Sequence, residues 1–89
     1  MQWYLVLMRI DPNQTFDVLQ NLRNLPKKPM PGVNLYHTSN VFGTWDCCIW
    51  FKADNYDQAM NFIHKHLRSI PGVAETYAMP TTPIKEYRP

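Results

Sequence analysis

Apolar residues fall on both sides of a period-two pattern over Gln2–Ile10. Trp3, Leu5 and Leu7 share one side, and Tyr4, Val6, Met8 and Ile10 share the other. Strict alternation predicts a strand, and an apolar character on both faces predicts a central one that needs cover above and below. Asp11-Pro12-Asn13 punctuates the pattern, and Asn13 or Thr15 is the expected cap of a helix reaching about Asn24. The helix stripe is Phe16, Leu19 and Leu22, with Val18 and Leu25 slightly offset. Pro26, Pro29 and Pro31 then forbid helix, and Gly32 closes the loop.

Val33–Phe42 predicts a second strand, polar enough at Asn34, His37, Thr38, Ser39 and Asn40 to suit an edge. A tight turn at Gly43-Thr44 leads into a third strand, Trp45 to Ala53. There Trp45, Cys47, Ile49 and Phe51 are expected on one face and Cys48 and Trp50 on the other. Asp54 or Asn55 caps a second helix, with Asp57 in its first turn. Tyr56, Ala59, Met60, Ile63, Leu67 and Ile70 recur at three- and four-residue spacing, and Pro71-Gly72 ends the run. Val73 to about Ile84 predicts the last strand, placed at an edge because Pro80 and Pro83 cannot donate to a ladder.

The order is βαββαβ, with a two-fold echo in which Pro31-Gly32-Val33 and Pro71-Gly72-Val73 each follow a helix. This predicts an α+β, ferredoxin-like fold: a four-stranded antiparallel sheet with strands 1 and 3 inside and 2 and 4 outside. Two helices cover one face of such a sheet. The other face, also apolar, calls for a second copy of the chain, giving a dimeric α/β-barrel by sheet-to-sheet packing. Its centre is expected at Trp3, Leu5 and Ile49 or at their opposite-face neighbours.

Composition narrows the function classes. The 89 residues make one domain, and 45% hydrophobic content is that of a globular chain. Net charge is +2, and Lys27-Lys28 is the only basic pair, which argues against direct DNA binding. Adjacent Cys47 and Cys48 cannot staple distant segments, which favours a reducing, cytoplasmic setting. No apolar run is long enough for a membrane span. His64 and His66 diverge on their helix and His37 has no visible partner, so no metal and no cofactor are expected.

Gly43-Thr44-Trp45-Asp46, the apolar strand and amphipathic helix after it, and Ile70-Pro71-Gly72-Val73 with Thr76 beyond resemble the effector-binding (RAM) domain of Lrp/AsnC transcription regulators. The family pattern is Gly-x-Tyr-Asp, then Ile-Pro-Gly-Val followed by threonines. Here Trp45 replaces the tyrosine, Ala78 stands where a second threonine is common, and the Lys27–Pro31 loop is unusually proline-rich. The resemblance spans nearly all of residues 1–89. Met1 stands directly before the first strand, where full regulators carry a helix-turn-helix domain, so a stand-alone effector module or an excised piece is expected. The resemblance implies sheet-to-sheet dimers assembling further, often as rings of four dimers (an octamer). It also implies a small effector, usually an amino acid, bound where dimers meet.

On that reading the ligand-binding residues are Gly43, Thr44, Trp45, Asp46 and Thr76, and none is catalytic. Asp46 suits an ammonium group or the turn's own N–H groups; Trp45 suits packing; Thr76 suits a carboxylate or plain strand pairing. A protein that joins full-length regulators in hetero-oligomers is compatible with this. The alternative is a small dimeric α/β-barrel enzyme of oxygenase or haem-handling type. It would need a polar cavity between sheet and helices, where the sequence offers only Tyr56.

Overall fold

The computed structural model describes residues 1–88. Strand β1 is Gln2–Ile10, helix α1 Thr15–Arg23, β2 Val33–Asn40, β3 Cys47–Ala53, helix α2 Tyr56–Phe62 continued by a π-helical segment Ile63–Leu67, and β4 Val73–Thr81. The sheet order is β2-β3-β1-β4 with every neighbour antiparallel. This is the predicted ferredoxin-like arrangement, with the doubly apolar strands inside.

Both helices cover one face. Tyr4, Val6, Met8 and Ile10 of β1 and Cys47, Ile49, Phe51 and Ala53 of β3 are buried there against Val18, Leu22, Ala59, Phe62, Ile63 and Leu67. Ile49 is thus a core residue facing Val6, so the open face is centred on Trp3, Leu5 and Trp50. The echo between halves has a structural counterpart. The Gly72 carbonyl accepts from Asp11 N at 2.8 Å, ahead of α1, and the Gly32 carbonyl accepts from Asp54 N at 2.9 Å, ahead of α2. Each loop docks under the other half's helix. At Gly72 φ is +98°, and a Cβ would lie 2.7 Å from Gln14 Cβ and 2.8 Å from Val18 Cγ2, so only glycine lets the loop close.

Several local expectations are corrected. Neither Asn13 nor Thr15 caps α1. The Asp11 carboxylate instead accepts from Asn13 N and starts a 3-10 turn at Pro12–Gln14, and Phe16, expected in the apolar stripe, is 70% exposed. In α2 the Asn55 side chain caps Gln58 N as predicted, but Tyr56 lies outside and Phe62, absent from the predicted stripe, is fully buried. Phe62 follows buried Ala59 at a three-residue spacing, and the π turn comes after it: Arg68 N donates to Ile63 O, one residue further back than in an α-helix, which keeps Leu67 on the buried side. Strand β4 stops at Thr81, before Pro83.

Candidate functional site

The predicted tight turn at Gly43-Thr44 is a six-residue loop, Val41–Asp46. Strand pairing ends at Met8–Cys47, and beyond it the chain closes the loop by other means. Asp46 N donates to Met8 O at 2.9 Å, Val41 N donates to Asp46 O at 3.0 Å, and Asp46 Oδ2 accepts from Ile10 N at 2.8 Å. The carboxylate therefore takes the N–H that a longer β3 would have paired. Its other oxygen accepts no hydrogen bond from the described residues, and Asp46 is exposed. Gly43 has φ +144°, a backbone shape that favours glycine, yet a Cβ there would meet open space. Its constraint is conformational rather than one of crowding within the chain.

Trp45 does not share a face with Cys47. It swings across the open face, stacks on Tyr77 at 6.1 Å, and carries the Arg9 guanidinium 4.9 Å from its ring centre. Arg9 also meets Glu75 at 3.8 Å, a half-exposed pair of small energetic weight. Thr76 pairs with Met8 on the helix side of the sheet. It lines a separate depression with Arg68 and Glu75. Asp46 instead borders a groove of about 430 Å³ with Ile10, Pro12, Thr15, Asn40, Val41 and Phe42. Gly43, Thr44, Trp45 and Asp46 are brought together by the loop, and Thr76 is not among them. Phe42, 96% exposed at the loop, was not singled out in the sequence; its place beside the Gly-x-aromatic-Asp element was the available signal.

Cys47 lies behind this loop on the core side. Burial, then the Asp46 carboxylate and the Cys48 thiol, push its thiol from 9.0 up to about 11. A raised value means that the folded chain holds the proton while the unfolded chain releases it. The contribution to stability is therefore intact below pH about 9 and lost as pH rises toward about 11. Between pH 8 and 10.5, wild type is expected to lose on the order of 2 kcal/mol more stability than Cys47→Ala, measured by urea unfolding at each pH.

A second concavity, which the sequence did not disclose, lies toward the other end of the open face. A bulge in β2 sets Leu35 opposite Phe51 and His37 opposite Trp50, with Tyr36 extra between them. The extra residue turns Tyr36 onto the open face, where its ring meets Trp3 at 4.8 Å. Trp3 in turn meets Trp50 edge-on at 6.5 Å.

No family model matches the sequence, and no curated protein matches it. Solved structures do match in fold. TTHA0845 from Thermus thermophilus is similar at TM-score 0.77 and 16% identity, over 98% of this chain and 100% of that one. E. coli AsnC is similar at 0.79 and 10% identity, over 99% of this chain and 55% of that one. The transcriptional regulatory protein PF0864 from Pyrococcus furiosus, a member of the AsnC family, is similar at 0.68 and 19% identity, over 96% of this chain and 53% of that one. The chain spans about half the length of those two regulators. The resemblance read from Gly43–Asp46 and Ile70–Val73 thus meets AsnC-type structures in the fold: over nearly its whole length, this chain has the ferredoxin-like fold found in part of AsnC.

Proposed function

We propose that the chain is a single effector-sensing and oligomerisation domain of the Lrp/AsnC type. It binds a free amino acid or close relative beside Gly43-Thr44-Trp45-Asp46 where assembled copies meet, and it modulates full-length regulators. The observation that carries this reading is Asp46, anchored by Ile10 N through one oxygen and exposed through the other, at the mouth of a groove. A zwitterion needs a carboxylate for its ammonium and N–H or hydroxyl donors for its carboxylate. Asp46 serves the first need, and Gly43 N, Thr44 N and the Thr44 hydroxyl serve the second. Thr76 joins only if another copy carries it to the loop. Exposed Phe42, which lines this groove, gives a neighbouring copy apolar surface to cover. The similarity in fold to regulators supports a binding role without catalysis.

A thermal-shift screen of the twenty amino acids identifies the effector, since a ligand of the folded state raises its melting temperature. Asp46→Asn then separates the two roles of the carboxylate, because it keeps an oxygen for Ile10 N and removes the charge. Calorimetric titration is expected to show affinity reduced by about 1.5–3 kcal/mol, tenfold or more, with the melting temperature nearly unchanged. Equal affinities would remove Asp46 from the site. No response to any amino acid would overturn the effector reading and leave a partner of full regulators in its place.

A further inference from the structure

The apolar core does not run the full length of β2. Val33 and Leu35 are buried, but past the bulge the next positions on their side of the sheet are Thr38, opposite Ile49, and Asn40, opposite Cys47. Residues paired across neighbouring strands share a face, and Ile49 and Cys47 face the helices, so Thr38 and Asn40 do too. Both are exposed. A cleft of about 210 Å³ opens there, between Leu19, Leu22 and Arg23 of α1 and this polar half of β2, with Cys47 on its wall. Asn40 also lines the groove of about 430 Å³ that Asp46 borders, so the two concavities meet at that residue.

Their far ends carry opposite charges. Among the lining residues, Asp46 is the one acidic group and Arg23 the one basic group. Arg23 forms no ion pair among the described residues, where the ion pair present is Arg9 with Glu75. Between the two ends, Thr38 and Asn40 offer a hydroxyl and an amide. Thr15, beside the Asp46 groove, and Arg23 are the first and last residues of α1, so about 12 Å of helix separates the two ends. An effector with an apolar side chain would leave this polar half unused, and a basic side chain would meet the guanidinium. A carboxylate matches it, because a guanidinium takes both carboxylate oxygens in parallel hydrogen bonds.

We infer that the effector is an acidic amino acid of the glutamate type, lying along α1 with its ammonium on Asp46 and its side-chain carboxylate on Arg23. The inference rests on the amino-acid reading of the Gly43–Asp46 loop and adds a second, cationic end to that site. Arg23, Thr38 and Asn40 lie on the helix side of the sheet, away from the face centred on Leu5 where a second copy is expected. The α-carboxylate stays with the N–H and hydroxyl donors of Gly43 and Thr44.

Three probes share the ammonium and the α-carboxylate and differ in the side chain: glutamate (anionic), glutamine (its neutral counterpart) and leucine (apolar). Calorimetric titration of the full chain is expected to show glutamate binding at least roughly tenfold more tightly than either of the others. Arg23→Gln, at an exposed position, should bring glutamate down to the level of glutamine and leave glutamine and leucine unchanged. Asp46→Asn should weaken all three alike. Melting curves check that each variant is folded, and the wild-type ranking of glutamate against glutamine needs no variant. Glutamine or leucine binding as tightly as glutamate, glutamate binding that ignores Arg23→Gln, or no binding of glutamate would overturn this inference. In those cases, weakening of glutamine or leucine by Asp46→Asn would leave the loop site standing. Binding that ignores Asp46→Asn would overturn the loop reading and this inference together.

Discussion

Phe62→Ala should destabilise the domain by about 3–5 kcal/mol, while Tyr56→Ala should stay within about 0.5 kcal/mol. Both residues lie on α2, and the sequence pattern alone ranks them the other way round. Phe62 is fully buried, meets Phe51 edge-on at 5.0 Å, and stacks with His66 at 5.7 Å. Removing its ring leaves a cavity under the middle of the sheet, walled by β3 on one side and by the helix on the other. Tyr56 is 59% exposed at the first turn. A small domain has about 5–15 kcal/mol in hand, so the Phe62 variant should melt more than about 10 °C lower. Urea unfolding of both variants checks the pair. Equal costs would mean that Phe62 does not carry the packing of α2 against the sheet.

That contrast also shows where the sequence stops being legible. The alternation in β1 and β3 is a direct consequence of strand geometry, so the central strands and the need to cover a second face follow from it, whereas which face stays bare does not: Ile49 was grouped with Trp3 and Leu5 and lies in the core. The stripe of α2 was read with an α-helical period. Phe62 and Leu67 are five apart, a spacing that points to different sides of an α-helix and closer to one side of a π turn. Nothing in the residue types Ile63 to Leu67 announces that turn. The bulge at Tyr36 is similarly silent: it depends on how Leu35 and His37 pair with β3, and it leaves Tyr36 unpaired beside Trp3. At the candidate loop, the residue types Gly-x-aromatic-Asp were legible. Their geometry was not, because Asp46 pairs with Ile10, a residue distant in sequence. Trp45 was grouped on one face with Cys47, Ile49 and Phe51 by extending the alternation one step beyond where β3 begins, at Cys47.

Leu5→Glu should be a monomer at micromolar concentration, where the wild-type chain is expected to pair. Leu5 sits on the face the helices leave bare, between Trp50 of β3 and Met79 of β4, with Trp3 and Leu7 on either side along β1. None of these five side chains is fully buried in the single chain. The middle of this face is apolar, with charged Arg9 and Lys52 toward its two ends, and apolar surface is driven to find cover, at roughly 25 cal/mol per Å² removed from water. A second copy is the cover expected, since a two-fold axis through the face matches apolar surface with apolar surface. In that arrangement Leu5→Glu brings a carboxylate from each copy into the same dry interface. An unpaired buried charge costs several kcal/mol, and two like charges cost more, which weakens the dimer by at least about two orders of magnitude. The side chain remains solvated in the separated chain, so the variant should stay folded. Asn21→Glu, on the exposed side of α1, adds the same charge where no contact is expected and should leave assembly unchanged. Light scattering of the three proteins checks this. The expected masses are at least twice 10.5 kDa for wild type and Asn21→Glu, and 10.5 kDa for Leu5→Glu. A wild-type chain that is itself a clean monomer, or a Leu5→Glu variant that still pairs, would place the assembly surface elsewhere.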